Sequence, residues 1–312
     1  MTLRYTLRQL EYFVAVGETG SITVASQRLN VSAPSISTGI SHLEDELGLQ
    51  LFVRHHAQGL TPTAPGRRLL EHARGVLRQA GGLRDLASDL SGHVRGPLAI
   101  GCLSTIAQIV LPGLRRSFSQ AYGEVQLSQI EADQSVLFTL LRQARIDLAL
   151  TYDLDLPGDL NFESVLELPP IVALGETHPL AHLPAVSVTE LAPFPMVLLD
   201  LPFSNDYFMS FFADAGLRAN VVERTRDMAV MRGLVAHGFG YSIVNTRPLN
   251  DLAPDGKRLR FVPLTGNLRP MKLGILAGPG REWTVVQKTF KAHAQAWVEE
   301  RKDGLLGGRA AT

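Results

Sequence analysis

Over the first fifty residues, apolar positions recur at intervals of three and four. In TLRQLEYFVAVGETG, Leu7, Leu10, Phe13, Val14 and Gly17 share one helical face, and Gly20 ends the segment. Ser21 is a candidate cap for a second, short helix carrying Ile22, Ala25 and Leu29, with Asn30 as its stop. Ser32 is the next candidate cap. Pro34 sits in a first turn, where its missing N–H does no harm, and Ile36, Ile40, Leu43 and Leu47 form a buried stripe before Gly48. The very short turn between the second and third helices fits a helix-turn-helix. The period then changes to two: Leu49, Leu51 and Val53 alternate, Gln58-Gly59 make a turn, and residues 60–63 return as a partner strand. This hairpin reads as a wing. In such a module the third helix enters the major groove with its N-terminal residues on the bases, while wing and helix ends hold phosphates.

From Gly66 to Gly92 the row Leu69, Ala73, Val76, Ala80, Leu83, Ala87 and Leu90 advances alternately by four and three, a heptad seam that wants a partner helix. Packing on its own domain is the competing reading, and Gly81-Gly82 predict a bend. Beyond residue 93 strands and helices alternate. A strand over 98–103, helix 106–122, strand 125–130, helix 135–144 and strand 147–151 predict β-α-β-α-β with a parallel sheet. A second unit follows through ELPPIVALGE, FPMVLLDL, a helix over 206–215, NVVERT, a helix over 228–237 and YSIVN. RLRFVPL and MKLGILAG then recross before a closing helix over 282–299. The domain expectation is 1–65 for the winged module, 66–93 for the linker helix, 94–302 for two α/β lobes and 303–312 for a disordered tail.

Composition narrows the picture. With 312 residues and 45% apolar content the chain buries a real core, and it shows neither a run of about 20 apolar residues nor a secretory leader, which predicts a cytoplasmic protein. Its single cysteine, Cys102, excludes an internal disulfide and lies within a strand pattern, where buried packing is expected rather than redox sensing. The histidines form no coherent metal-ligand set: His55 and His56 are adjacent, and His178 and His182 flank a proline-containing loop. No metal and no cofactor are expected. No nucleophile elbow or metal motif is present, and GFGYS at 238–242 lacks the third glycine of a dinucleotide loop, so the chain is not expected to be an enzyme.

LRQLEYFVAV, GSITVASQRLNVS, PSIS, LEDELGLQLFVR and a threonine followed by Gly66 together resemble the N-terminal domain of the LysR-type transcriptional regulators across residues 7–70. The layout of the remaining chain fits as well. The resemblance implies an α/β fold class with three parts: an N-terminal winged helix-turn-helix, a linker coiled-coil helix that pairs subunits, and a two-lobed, periplasmic-binding-protein-like effector domain. It implies double-stranded DNA, a small-molecule effector and further copies of the chain as partners, in a homodimer or homotetramer, with RNA polymerase as an additional partner and no membrane. Where many members carry glutamine or arginine on the recognition helix, this chain has Ala33, Thr38 and Gly39. The bidentate hooks for guanine and adenine edges are therefore missing.

The candidate DNA contacts are Ser32, Ala33, Pro34, Ser35, Ser37, Thr38, Ser41 and His42, with Arg54 and His55 on the wing. Hydroxyls and methyls then leave much of the reading to DNA shape. Residues 1–65 carry four basic residues against five acidic ones, which predicts modest nonspecific affinity. For the effector, ligands of open α/β sheets gather at the C-terminal ends of strands. The candidates there are Ser104 and Thr105 as helix caps, Thr151 and Tyr152, Pro202, Phe203 and Ser204, Thr225 and Arg226, and Tyr241. A small organic acid, with an aromatic one among the candidates, is the expected ligand class. The alternative is a two-lobed binding protein or enzyme whose N-terminal helices only dimerise.

Overall fold

The computed structural model describes residues 4–55, 59–91, 94–248, 250–279 and 283–306, without the side chains of residues 54, 55, 78 and 84–91. Two compact units divide at residue 93.

In the first unit, α1 (Leu7–Thr19), α2 (Ile22–Leu29) and α3 (Ala33–Leu47) precede β1 (Phe52–His55), β2 (Gly59–Pro62) and α4 (Ala64–Ser91). Each of the first three helices has a side-chain cap at its start and a left-handed residue at its end. Thr6, Ser21 and Ser32 accept the capping N–H bonds, and Gly20, Asn30 and Gly48 adopt positive φ. Leu10, Phe13 and Val16 of α1 pack on Ala25, on Ile36, Ile40 and Leu43 of α3, and on Phe52, whose ring meets Phe13 edge-on at 5.4 Å. β1 and β2 pair antiparallel, from Phe52 opposite Pro62 to His55 opposite Gly59. The Leu60 N–H reaches across to the Gly20 carbonyl at 2.8 Å, which ties the hairpin to the end of α1.

α4 closes this core with Leu70 and Ala73, so the linker helix begins as part of the winged module. It runs unbroken through Gly81 and Gly82. Helical hydrogen bonding therefore outweighs the cost of about 1 kcal/mol per glycine that predicted an interruption.

The second unit contains two lobes. Lobe 1 carries β3 (Gly96–Leu103), α5 (Ser104–Ala121), β4 (Val125–Ala132), α6 (Gln134–Arg142), β5 (Leu148–Tyr152) and β6 (Asn161–Leu168). The chain passes into lobe 2 for β7 (Ile171–Gly175), β8 (Val186–Ser187), α7 (Val188–Leu191), β9 (Pro195–Leu199), α8 (Ser204–Asp214), β10 (Asn220–Thr225), α9 (Met228–Ala236), β11 (Ser242–Val244) and β12 (Leu259–Thr265). It returns to lobe 1 as β13 (Met271–Ala277), α10 (Val285–Glu299) and α11 (Lys302–Leu305).

Lobe 1 has the strand order β4-β3-β5-β13-β6, in which β4, β3 and β5 are parallel and β13 is antiparallel to both neighbours. All five residues of β5 are buried, as a strand covered on both faces requires. In lobe 2, β11-β7-β12-β8 form one sheet and β10-β9 another; the Met196–Tyr241 bridge connects them. That bridge depends on Gly240, with φ of 152°, where a Cβ would lie 2.2 Å from the Pro195 carbonyl oxygen. Only two segments connect the lobes: Pro169-Pro170 between β6 and β7, and residues 266–270 between β12 and β13.

Of the tail expected to be disordered, residues 303–306 are described, and three of them, 303–305, belong to α11. α11 is an ordered turn and Leu305 is buried against the core of the second unit, because an apolar side chain there finds a surface to cover. Residues 307–312 lie outside the described ones. Among the described residues no helix is long and apolar enough to cross a membrane.

Candidate functional sites

One face of α3, over its first three turns, presents Pro34, Ser35, Thr38 and His42 to solvent. Ala33 and Ser41 are half-buried beside them. Ser32 is the N-cap, and its hydroxyl lies 2.7 Å from that of Ser35, so these two hydroxyls share a bond. Ser37 departs from the group. It lines a groove with Ile22, Ile40, Glu44, Phe52 and Leu60, between α3 and the wing, because its position falls a quarter-turn away from the exposed face. Gly39 also faces inward, against the ring of Tyr12, and so is no base-facing position. The side chains of Arg54 and His55, and residue 56 as a whole, lie outside the described ones.

The local charges explain how an acidic composition accommodates this face. Glu18 is paired with Arg28 at 2.7 Å and Arg74 at 3.3 Å, and Glu11 with Arg8 at 2.8 Å. Glu44 turns back to accept the N–H groups of Leu51 and Phe52, at 2.7 and 3.2 Å, and holds the start of the wing. Beyond residue 65, exposed Arg67 and Arg68 open α4, and the Arg67 guanidinium donates to the Pro62 carbonyl of β2 at 2.9 Å. A boundary drawn at residue 65 leaves out these two cations, which α4 returns to the winged module.

The expected pairing row splits along α4. Ala73 is buried and Leu69 partly covered by the module's own core, whereas Val76 and Leu83 are exposed, Leu83 at 71%. Ala80 is half-buried, and the side chains of Ala87 and Leu90 are outside the described ones.

In the second unit a small cavity of about 40 Å³, open at its mouth, lies at the C-terminal ends of β3, β4 and β5. Lobe 1 contributes Leu103, Thr105, Asp133, Gln134, Tyr152 and Leu154, and β13 adds Met271. Lobe 2 contributes Leu199, Leu201, Pro202, Ser204, Phe208, Met228, Ile243, Val244, Asn245 and Thr246. Most of this wall is apolar, with a few polar groups, as small-molecule sites usually are. No Lys or Arg side chain lines it among the described residues, and its one carboxylate, Asp133, is engaged with the Ser135 hydroxyl and Val136 N–H at the start of α6. Gln134, almost fully buried, donates to the carbonyls of Tyr152 and Leu154 and fixes the end of β5.

Of the sequence candidates, the cavity brings together Thr105, Tyr152, Pro202 and Ser204. The others stand elsewhere. Ser104 is exposed, and α5 starts two residues earlier than its apolar pattern suggests, so Ser104 and Thr105 are its first residues rather than its caps; Leu103 takes the cap position without a side-chain bond. Thr151 is fully buried in β5, with its hydroxyl unpartnered. Thr225 accepts the Asp227 N–H beside α9, and Arg226 is exposed. Tyr241 is fully buried at the strand bridge. Phe203 turns from the cavity to stack on Phe138 of α6 at 5.7 Å, with a φ of 68° that is unusual for a bulky residue.

The polar groups on the wall are incompletely satisfied. Burial pushes the Tyr152 hydroxyl up to about 12, so it stays a neutral donor beside the Thr246 and Thr105 hydroxyls. The Thr105 hydroxyl itself reaches no partner with hydrogen-bond geometry. Asn245, which sequence reading did not single out, donates to the Leu168 carbonyl at 2.8 Å and to the Tyr207 hydroxyl at 3.1 Å, yet its Oδ1 has no donor. A buried acceptor left this way costs about 1–3 kcal/mol. Cys102 is buried, and burial holds its thiol at about 12.

Comparison with known proteins gives matches along nearly the whole chain. Residues 7–67 match the family described as bacterial regulatory helix-turn-helix protein, lysR family, and residues 91–299 match the LysR substrate binding domain. The transcriptional regulator CysB of Haemophilus influenzae is 30% identical over 247 residues, covering 76% of this chain and 75% of that one. The hydrogen peroxide-inducible genes activator of Escherichia coli O157:H7 is 28% identical over 301 residues, 96% of each chain. The crystal structure of HinK, a LysR family transcriptional regulator from Pseudomonas aeruginosa, is 34% identical and covers 94% of this chain and 98% of its own, with a TM-score of 0.64.

Proposed function

The chain belongs to the LysR family of bacterial transcriptional regulators, and from that premise we propose that it binds promoter DNA as a homo-oligomer in the cytoplasm and is controlled by a small organic acid held between its two lobes. The observation that carries the DNA reading is the exposed face of α3, with Ser35, Thr38 and His42, inside a winged module whose acidic residues are mostly engaged internally. Hydroxyls and a methyl on that face give few bidentate base contacts, so sequence preference rests largely on groove shape and on phosphate contacts. Arg67, Arg68 and the wing cation Arg54 are the proposed phosphate contacts. The exposed Val76 and Leu83 of α4 support pairing of two copies along this helix. RNA polymerase is a further proposed partner of the DNA-bound oligomer.

The acid reading rests on α5. Its 18-residue dipole points its positive end at the cavity through Thr105, and no side chain caps it. A carboxylate there needs no lysine or arginine, and the apolar wall formed by Leu154, Leu201, Phe208 and Met271 takes the ligand's body. The E. coli relative is named for genes inducible by hydrogen peroxide; in this chain the lone cysteine is buried and held protonated, which does not favour a thiol-based sensor.

The test has two arms on the full chain. Genomic fragments bound at low salt are selected and sequenced; a shared site is expected, and no enrichment contradicts the regulator reading. Calorimetry with small aromatic and aliphatic carboxylates tests the cleft, where binding only of cations or of uncharged molecules contradicts the acid reading.

A further inference from the structure

Two segments join the lobes, and one amide is linked to both, to the second through Tyr207. Asn245 follows β11 in lobe 2. Its Nδ2 donates to the carbonyl of Leu168, the last residue before the Pro169-Pro170 crossing, and to the Tyr207 hydroxyl. Tyr207 in turn donates to the carbonyl of Arg269, on the second crossing, at 2.7 Å. The Arg269 guanidinium continues the chain into lobe 1, to the carboxylate and carbonyl of Asp153, at 2.7 and 2.9 Å. This sequence of bonds also fixes which way the amide points. Leu168 supplies only an acceptor, and Tyr207 has committed its hydrogen to Arg269, so both demand the NH₂ group. The carbonyl oxygen is left without a donor although Asn245 is a wall of the cavity and only 5% exposed. That oxygen is buried, so a donor carried by a molecule in the cavity meets it only when the wall around Asn245 shifts to admit it.

Resting on the reading of the cleft as an effector site, we infer that Asn245 is a positioning residue that accepts a hydrogen bond from an N–H or O–H group of the effector and transmits its presence to both lobe connections. The ligand class is thereby narrowed to a compact, largely apolar acid that also carries a hydrogen-bond donor, a hydroxy or amino acid of aromatic or aliphatic body. Donation to Oδ1 polarises the amide and strengthens its two N–H bonds, which holds Leu168 and, through Tyr207, Arg269 in one geometry. A ligand without the donor fills the same space and leaves the connections as they are.

Calorimetry on the full chain with three probe pairs tests this: 4-hydroxybenzoate against 4-methoxybenzoate, 4-hydroxyphenylacetate against 4-methoxyphenylacetate, and phenol against anisole. In at least one pair the hydroxyl member is expected to bind tenfold or more tightly, with that preference abolished by Asn245→Leu and retained by Tyr207→Phe. Hydrogen exchange supplies a second readout: the hydroxyl probe slows exchange across residues 264–273 in the natural chain but not in Tyr207→Phe. Equal binding of both members, or a preference that survives Asn245→Leu, overturns the inference and leaves the cleft reading intact. Unchanged exchange across 264–273 overturns the transmission. Binding of none of the six probes counts against both the cleft reading and the inference.

Discussion

Gly39 has no room for a side chain. A Cβ there would lie 2.7 Å from the Tyr12 ring, so Gly39→Val is expected to destabilise the winged module by about 1–3 kcal/mol through overpacking, read as a lower melting temperature. On the exposed side of α3, Thr38→Ala is expected to change which base pairs are preferred. Arg67→Ala is expected to weaken all sequences alike and to make the salt dependence shallower by about one phosphate contact. Equal losses on every site for both variants contradict this division.

Histidine burial sets a pH dependence. His293 packs against Phe118 and hydrogen-bonds Ser117, and burial lowers its pKa, as it does for His178. The folded values lie below the unfolded one, so the unfolded chain binds more protons once the pH falls through about 6.5. Stability is then full above that pH and declines below it, and a melting series from pH 7.5 to 5.5 is expected to flatten in His293→Gln. At this scale sequence reading reached Thr105 and Tyr152, because strand ends and helix starts mark themselves in the pattern. It passed over Asn245 and Gln134, whose partners stand 18 to 77 residues away and leave no local signal.

Elements were more legible than residues, since caps, glycines and apolar spacing act within a few positions. Two helices of the winged module follow the caps Ser21 and Ser32 that the sequence displays, and the structure adds Thr6 as the cap of α1. α5 shows the limit: its start was set by apolar spacing, yet Ser104 and Thr105 were drawn into its first turn with no side chain to cap it. α4 shows another, because one seam serves two purposes. Its first turns complete the winged core through Leu70 and Ala73, and beyond them Val76 and Leu83 are left uncovered. Leu83→Arg is therefore expected to lower the oligomeric state in light scattering while changing the stability of the folded subunit itself by no more than about 0.5 kcal/mol, as for a surface substitution. An unchanged mass contradicts pairing through this part of α4.

For the molecule as a whole, alternation of strands and helices announced the lobed architecture, and the crossing segments follow from where β6 and β12 end. What the pattern does not contain is the meeting of both crossings at one amide, which only folding brings about. A ligand shifts such a device only as far as it prefers one lobe geometry over another, with couplings typically of about 1–3 kcal/mol. The central claim nevertheless concerns the first unit: a winged module with little cationic surface holds duplex DNA by acting in pairs. Sedimentation velocity of the purified chain, alone and with a labelled duplex selected from genomic fragments at low salt, measures this most directly. The account predicts a dimer or larger in the free protein and at least two copies on each duplex; a monomer that sediments apart from every selected fragment would contradict it.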